Sequence, residues 1–147
     1  MRFDMSYNIY ITRREDWFSE DGPEISLQEW IDLVHADKEM RLDGYAEATT
    51  TTEGDVLRVD DQSMAVWLEY SQHGVDGNMA WIWHHQGNIV AKNPDEEIRR
   101  KMWRLAQAVS AKVQGEESEL YGADGQMLLE EAPVAKDARS KPWWRVW

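Results

Sequence analysis

The chain contains no cysteine. Disulfides and cysteine-ligated metals are therefore excluded, and nothing points to an oxidising compartment. No apolar run approaches the roughly 20 residues that a membrane-spanning helix needs. The opening residues, MRFDMSYNIYITRRE, lack the apolar core of a signal peptide. The expectation is a cytoplasmic protein with no membrane partner, and Met5 can itself serve as a start. A basic excess is also missing: 16 Lys and Arg stand against 28 Asp and Glu, for a net charge of −12. Nucleic-acid binding needs a basic footprint and is disfavoured. The sequence holds no GxSxG elbow, no P-loop, no GxGxxG and no HExxH.

The 147 residues suit one domain with one core. The most legible stretch is Asn78 to Val113. A Trp- and Ile-rich strand, Asn78 to His84, meets a turn at Gln86-Gly87-Asn88 and returns as Ile89 to Ala91. Asn93 is placed to cap a helix, with Pro94 at its first position and Glu96 completing a capping box. Ile98, Met102, Leu105, Ala106 and Val109 share one face of that helix, which is expected to pack on the hairpin. Glu96 with Arg100 and Glu97 with Lys101 read as exposed ion pairs.

Elsewhere, Tyr7 to Thr12 alternates as a strand, with Ile9 and Ile11 facing one way and Asn8 and Tyr10 the other. Arg13 to Glu24 is a charged loop. Ser26 and Glu29 form a capping box for a short helix with Leu27, Trp30, Ile31 and Val34 on its buried stripe. Strands are expected at Tyr45 to Thr50, Val56 to Val59, Met64 to Tyr70 and Lys112 to Gln114. A small hairpin is expected across Ala123-Asp124-Gly125. This order predicts a single α+β domain over residues 1–131, with a mostly antiparallel sheet and two main helices on one face. Residues 132–147 read as a basic, Trp-rich tail, with four basic side chains against one acidic.

Two features remain to be assigned. The acidity serves either solubility or a surface complementary to a basic protein. Among nine tryptophans, Trp30, Trp67, Trp81, Trp83 and Trp103 lie on core elements, while Trp17, Trp143, Trp144 and Trp147 lie in charged or terminal segments. The second group is either interaction anchors or pins for the chain's own segments. Of the four histidines, His84 and His85 end a strand and point to opposite faces, so one metal cannot take both. His73 with Asp76 forms at most a loop acid–base pair.

Three stretches, SYNIYITRRE, GNMAWIWHHQGNIVAKNPDEEI and AKVQGEESELYG, resemble small acidic bacterial immunity proteins that neutralise secreted antibacterial toxins. The resemblance implies a cytosolic single-domain protein that occludes a toxin and catalyses nothing. Separately, the missing ligand spacing leads to an expectation of no metal and no cofactor. The expected partner is a basic protein, met by a monomer or homodimer. The candidate contact residues are Asp16, Trp17, Phe18, Glu20 and Asp21 in the first loop. They are joined by His73 and Asp76 in the second loop, and by Glu116, Glu117 and Glu119 in the last acidic turn. The alternatives are a small enzyme around His73 and Asp76, or an oligomeric adaptor.

Overall fold

A computed structural model describes residues 7–49 and 56–128. The expected tail at 132–147 lies outside the described residues. The elements run β1 (Asn8–Thr12), α1 (Leu27–Ala36), β2 (Met40–Leu42), β3 (Tyr45–Thr49), β4 (Val56–Asp60), β5 (Ala65–Trp67), β6 (Ala80–His85), β7 (Asn88–Lys92), α2 (Glu96–Ala108), β8 (Lys112–Gly115) and β9 (Leu120–Tyr121). Seven strands form one sheet in the order β2-β5-β6-β7-β1-β8-β9, while β3 and β4 form a separate ribbon. Every strand pairing among the described residues is antiparallel. This is the α+β domain expected from the sequence.

One face of the sheet is the core face. Register places Ile9 beside Ala91, Ile11 beside both Ile89 and Val113, and Ala65 beside Ile82. Trp30 and Val34 of α1 join them in one apolar cluster, as do Ile98, Met102, Leu105 and Ala106 of α2. The capping box of α1 forms as expected. Glu29 N–H donates to Ser26 Oγ at 3.0 Å, and Ser26 N–H donates to the Glu29 carboxylate at 2.9 Å. Arg13 also grips Glu29 with two guanidinium bonds of 2.8 and 3.0 Å. Those bonds and the cap hold the Glu29 carboxyl at about 2, below its usual 4.5.

The start of α2 differs from expectation. Asp95 is the N-cap, its Oδ1 accepting from Ile98 N–H at 2.9 Å. Asn93 adopts a left-handed φ of 49° and exchanges bonds with the Tyr7 backbone. It therefore bends the chain out of β7 while tying down the start of β1. Residue 98, three beyond the true cap, is Ile, so no capping box closes. The helix lies across β1 and β8 rather than on the β6–β7 hairpin.

The Glu97–Lys101 pair does not form either. Glu97 accepts from the Ser71 N–H and hydroxyl at 2.8 and 2.7 Å. Lys101 is buried, and its ammonium donates to Asp37 at 2.7 Å and Glu39 at 3.0 Å. The Glu39 carboxyl lies below its ordinary range because the Trp67 indole N–H and Lys101 both donate to it. Met64 to Tyr70 is another correction. The strand covers only Ala65–Trp67, and residues on both sides of it are buried.

Candidate functional site

The face of the sheet turned away from the helices carries a polar and aromatic row. Register sets Trp83 beside Val90, Val90 beside Tyr10, and Tyr10 beside Gln114. Alternation forces this, because Ile9, Ile11, Ile82 and Ile89 all turn the other way. Two irregular covers lie over it. On one side Tyr45 of the β3–β4 ribbon rests on Trp81, ring centroids 6.1 Å apart. On the other side the loop 13–24 folds back over β1.

That loop is fastened by side chains. Trp17 stacks on Tyr10 with centroids 4.1 Å apart and planes 4° from parallel. Its backbone N–H donates to Gln114 Oε1 at 2.7 Å, its indole N–H to the Glu116 carbonyl at 3.2 Å, and its carbonyl accepts from Asn88 Nδ2 at 2.9 Å. Asp16 accepts from the Ser118 hydroxyl at 2.9 Å. Two acidic segments about a hundred residues apart in sequence are thus brought side by side. Phe18 leans edge-on against Trp17 at 5.4 Å and stays 58% exposed. Glu20 and Asp21 are exposed beyond it.

The turn after β8 is equally internal. Glu116 accepts from Asn8 N–H at 2.8 Å. Glu119 accepts from the Tyr7 and Tyr121 hydroxyls at 2.5 and 2.9 Å and from Glu117 N–H at 3.1 Å. Its carboxylate lies over Gly115 so closely that a Cβ there would come within 1.9 Å of it. Burial pushes the Glu119 carboxyl up, but the hydroxyl and N–H donors outweigh it and hold it below the usual range. Burial and that carboxylate together push the Tyr121 phenol up to about 12. Of this turn only Glu117 is openly exposed.

Between the Trp17–Phe18 turn and the β6–β7 hairpin lies a cleft of about 990 Å³. Tyr10, Trp17, Phe18 and Trp83 supply rings, and Glu20 and Glu24 supply carboxylates. Arg14 is buried beneath one wall, donating to the Gln86 carbonyl at 2.9 Å and to Glu24 at 3.1 Å. The hairpin turn at Gln86 and Gly87 has φ of 51° and 84°. A Cβ on Gly87 would strike Arg14 Nη2 at 2.6 Å and Glu24 Cγ at 2.8 Å, so the wall needs glycine there. His84 faces the core side, its Nε2 2.6 Å from the Ile25 carbonyl, while His85 is exposed at the cleft.

The structure therefore gathers Asp16, Trp17, Phe18, Glu20, Asp21, Glu116, Glu117 and Glu119 on one side of the molecule. His73 and Asp76 are elsewhere. They lie in the loop before β6, beside the start of α2, where Ser71 and Tyr70 bind Glu97 and Asp95. The cleft borders the other end of β6. His73 Nδ1 is buried without a partner. Among the described residues no three His, Asp or Glu side chains converge as a metal ion requires. No described helix is long and apolar enough to cross a membrane. No family model, curated protein or solved structure matches the chain.

Tyr10, Trp83, Asn88 and Glu24 are missing from the sequence-based site. The alternation of β1 did place Tyr10 away from the core. Nothing in the sequence said that Trp17 would return to stack on it.

Proposed function

We propose that this chain is a non-catalytic binding protein that occludes a basic protein partner, as an immunity protein occludes a toxin. One observation carries the reading. Asp16 is bonded to Ser118 of the 116–119 turn, and the carboxylates of Glu20, Asp21 and Glu117 stay exposed on the two joined segments beside an exposed Phe18, on a chain of net charge −12. Long-range charge speeds encounter with a basic surface, and a desolvated aromatic slows departure. Phe18 takes the anchor role, because the Trp17 ring is already stacked and hydrogen-bonded within its own domain.

The direct trial is co-expression with the protein encoded beside it. The neighbour should be toxic alone and harmless with this chain. With purified partners, association should slow steeply as salt rises, and Phe18→Ala should mainly speed dissociation. A neighbour that is harmless alone, or whose toxicity this chain leaves unchanged, removes the reading.

A further inference from the structure

We propose that the cleft beside Phe18 receives a basic side chain, arginine in preference to lysine, carried on an extended segment of the protein partner. This rests on the reading that the partner is basic, and it adds where and how that partner is held. Tyr10, Trp17, Phe18 and Trp83 border the cleft, with Phe18 the most open ring. Ring faces in a partly desolvated recess attract cations. Among the carboxylates and basic side chains that line it, Glu20 and Glu24 stand against Arg14 alone, and Arg14 is already bound to Glu24. His84 is held by the Ile25 carbonyl, and His85 lies exposed at the rim. An entering anion would face Glu20 uncompensated, whereas a cation would be neutralised by it. Arginine fits better than lysine because its flat guanidinium stacks on rings and still directs five donors outward.

A second observation argues for a peptide and not for a free cation. Two lining side chains, Asn88 at 3% exposed and Arg14 at 6%, each keep one polar atom without a partner. Asn88 Oδ1 is an acceptor and Arg14 Nε a donor. An extended backbone offers an N–H for the first and a carbonyl for the second. Both atoms are closed to solvent. The segment reaches Asn88 by lifting the Trp17–Phe18 turn, where the Trp17 carbonyl accepts from Asn88 Nδ2, and reaches Arg14 from the side of the Gln86–Gly87 turn. That turn is fastened to the sheet by side chains and not by strand pairing.

The full chain, labelled at its indole nitrogens, would be titrated with capped pentapeptides. Each carries one central arginine, lysine, citrulline or glutamate among glycines and serines. The arginine peptide should shift the Trp83 and Trp17 indole signals and bind about tenfold tighter than the citrulline peptide, with lysine between them. Trp83→Leu and Glu20→Gln should each weaken arginine binding by about fivefold or more. Glu20 is exposed, so its variant tests the site even if loss of Trp83 disturbs folding. Equal binding of the citrulline peptide, preference for the glutamate peptide, or shifts confined to other tryptophans would overturn the inference. So would displacement of the arginine peptide by an equal concentration of a peptide of residues 132–147 with Arg139 and Arg145 both replaced by alanine, which would show that the cleft does not select arginine. A Glu20→Gln chain that loses the arginine peptide yet still relieves the neighbour's toxicity would overturn the inference and leave the proposed function standing. An intact arginine site with no effect on co-expression would do the reverse.

Discussion

The two faces of the sheet are built on different principles. The helix face is closed by interdigitated apolar side chains, and Trp30, Ile11, Ile82 and Met102 lie fully buried there. The other face is covered by the β3–β4 ribbon on one side and, on the other, by a loop that contributes one stacked indole and a few directed hydrogen bonds. Apolar burial is strong and nondirectional, so the helix face tolerates no vacancy. Directed bonds to a loop are individually worth about 1 kcal/mol and can open one region at a time. The proposed binding surface therefore sits on the face that can yield without unfolding the domain.

Trp30→Ala should break the comparison most severely. It removes a fully buried indole that also donates to the Ser63 carbonyl at 2.7 Å. A loss of about 3–5 kcal/mol is expected, with Leu105→Ala at about 2–5 kcal/mol. Denaturant midpoints read both, and a small shift would mean that the helices do not close this face.

Trp17→Ala comes next. A stacked aromatic pair is worth roughly 0.5–1.5 kcal/mol beyond its area, and a hydrogen bond about 1 kcal/mol, so about 2 kcal/mol is expected. The sharper readout is local. Amide exchange in residues 13–24 should speed up while α2 stays protected. Uniform loss of protection would show that the two faces open together.

Acid tests the polar rim of the helix face. Glu29 titrates at about 2 when folded against its usual 4.5, and Glu39 is also depressed. A lowered folded value means that the stabilisation is complete above about 4.5 and is lost as the pH falls toward about 2. Stability should therefore decline across that window, and the decline should be shallower in Glu29→Gln. Identical acid profiles for the two chains would mean that the Arg13–Glu29 grip does not persist in solution. At the alkaline end the sign reverses. Tyr70, bonded to Asp95, and Tyr121, buried against Glu119, are both raised to about 12 from 10.0. Their contribution is complete below 10.0 and fades as the pH rises through about 12.

The smallest effect belongs to Arg100→Ala. Its side chain is 42% exposed and its partner Glu96 47%, so under about 0.5 kcal/mol should be lost. A larger cost in thermal or denaturant melts would place Arg100 in a contact with structural weight.

What was legible in the sequence was local. Ser26 and Glu29 announce a helix start because both halves of the capping box lie within four residues. Ile98, Met102, Leu105, Ala106 and Val109 announce a buried face because the helical period fixes it. The β1 alternation correctly turned Tyr10 away from Ile9 and Ile11. What was illegible was set by distant partners. Asn93 and Asp95 are both capable caps, and Asn93 is taken up by its two bonds with the distant Tyr7 backbone. Lys101 looked solvated because Asp37 and Glu39, its true partners, are more than sixty residues away. For the same reason the acidic segments could be named but not joined, and the cleft floor of Trp83 and Val90 was invisible.

The central place of β1 has a consequence for how the chain comes to exist. The strand emerges first, yet it pairs with β7 from Asn8 to Lys92 and with β8 from Ile9 to Gly115. At a synthesis rate of about 5–20 residues per second, its last partner leaves the ribosome roughly 5–20 s after it does. Until then β7 can close on β6 through the tight hairpin and on the waiting β1, but the β8-facing edge of β1 stays open. Pairings this remote in sequence also make folding slow. Anything that delays β1, such as a proline placed at Tyr10, should leave most of the domain correctly built around a gap. In that gap β7 and β8 each present an unpaired edge, open to pairing with a strand of another chain.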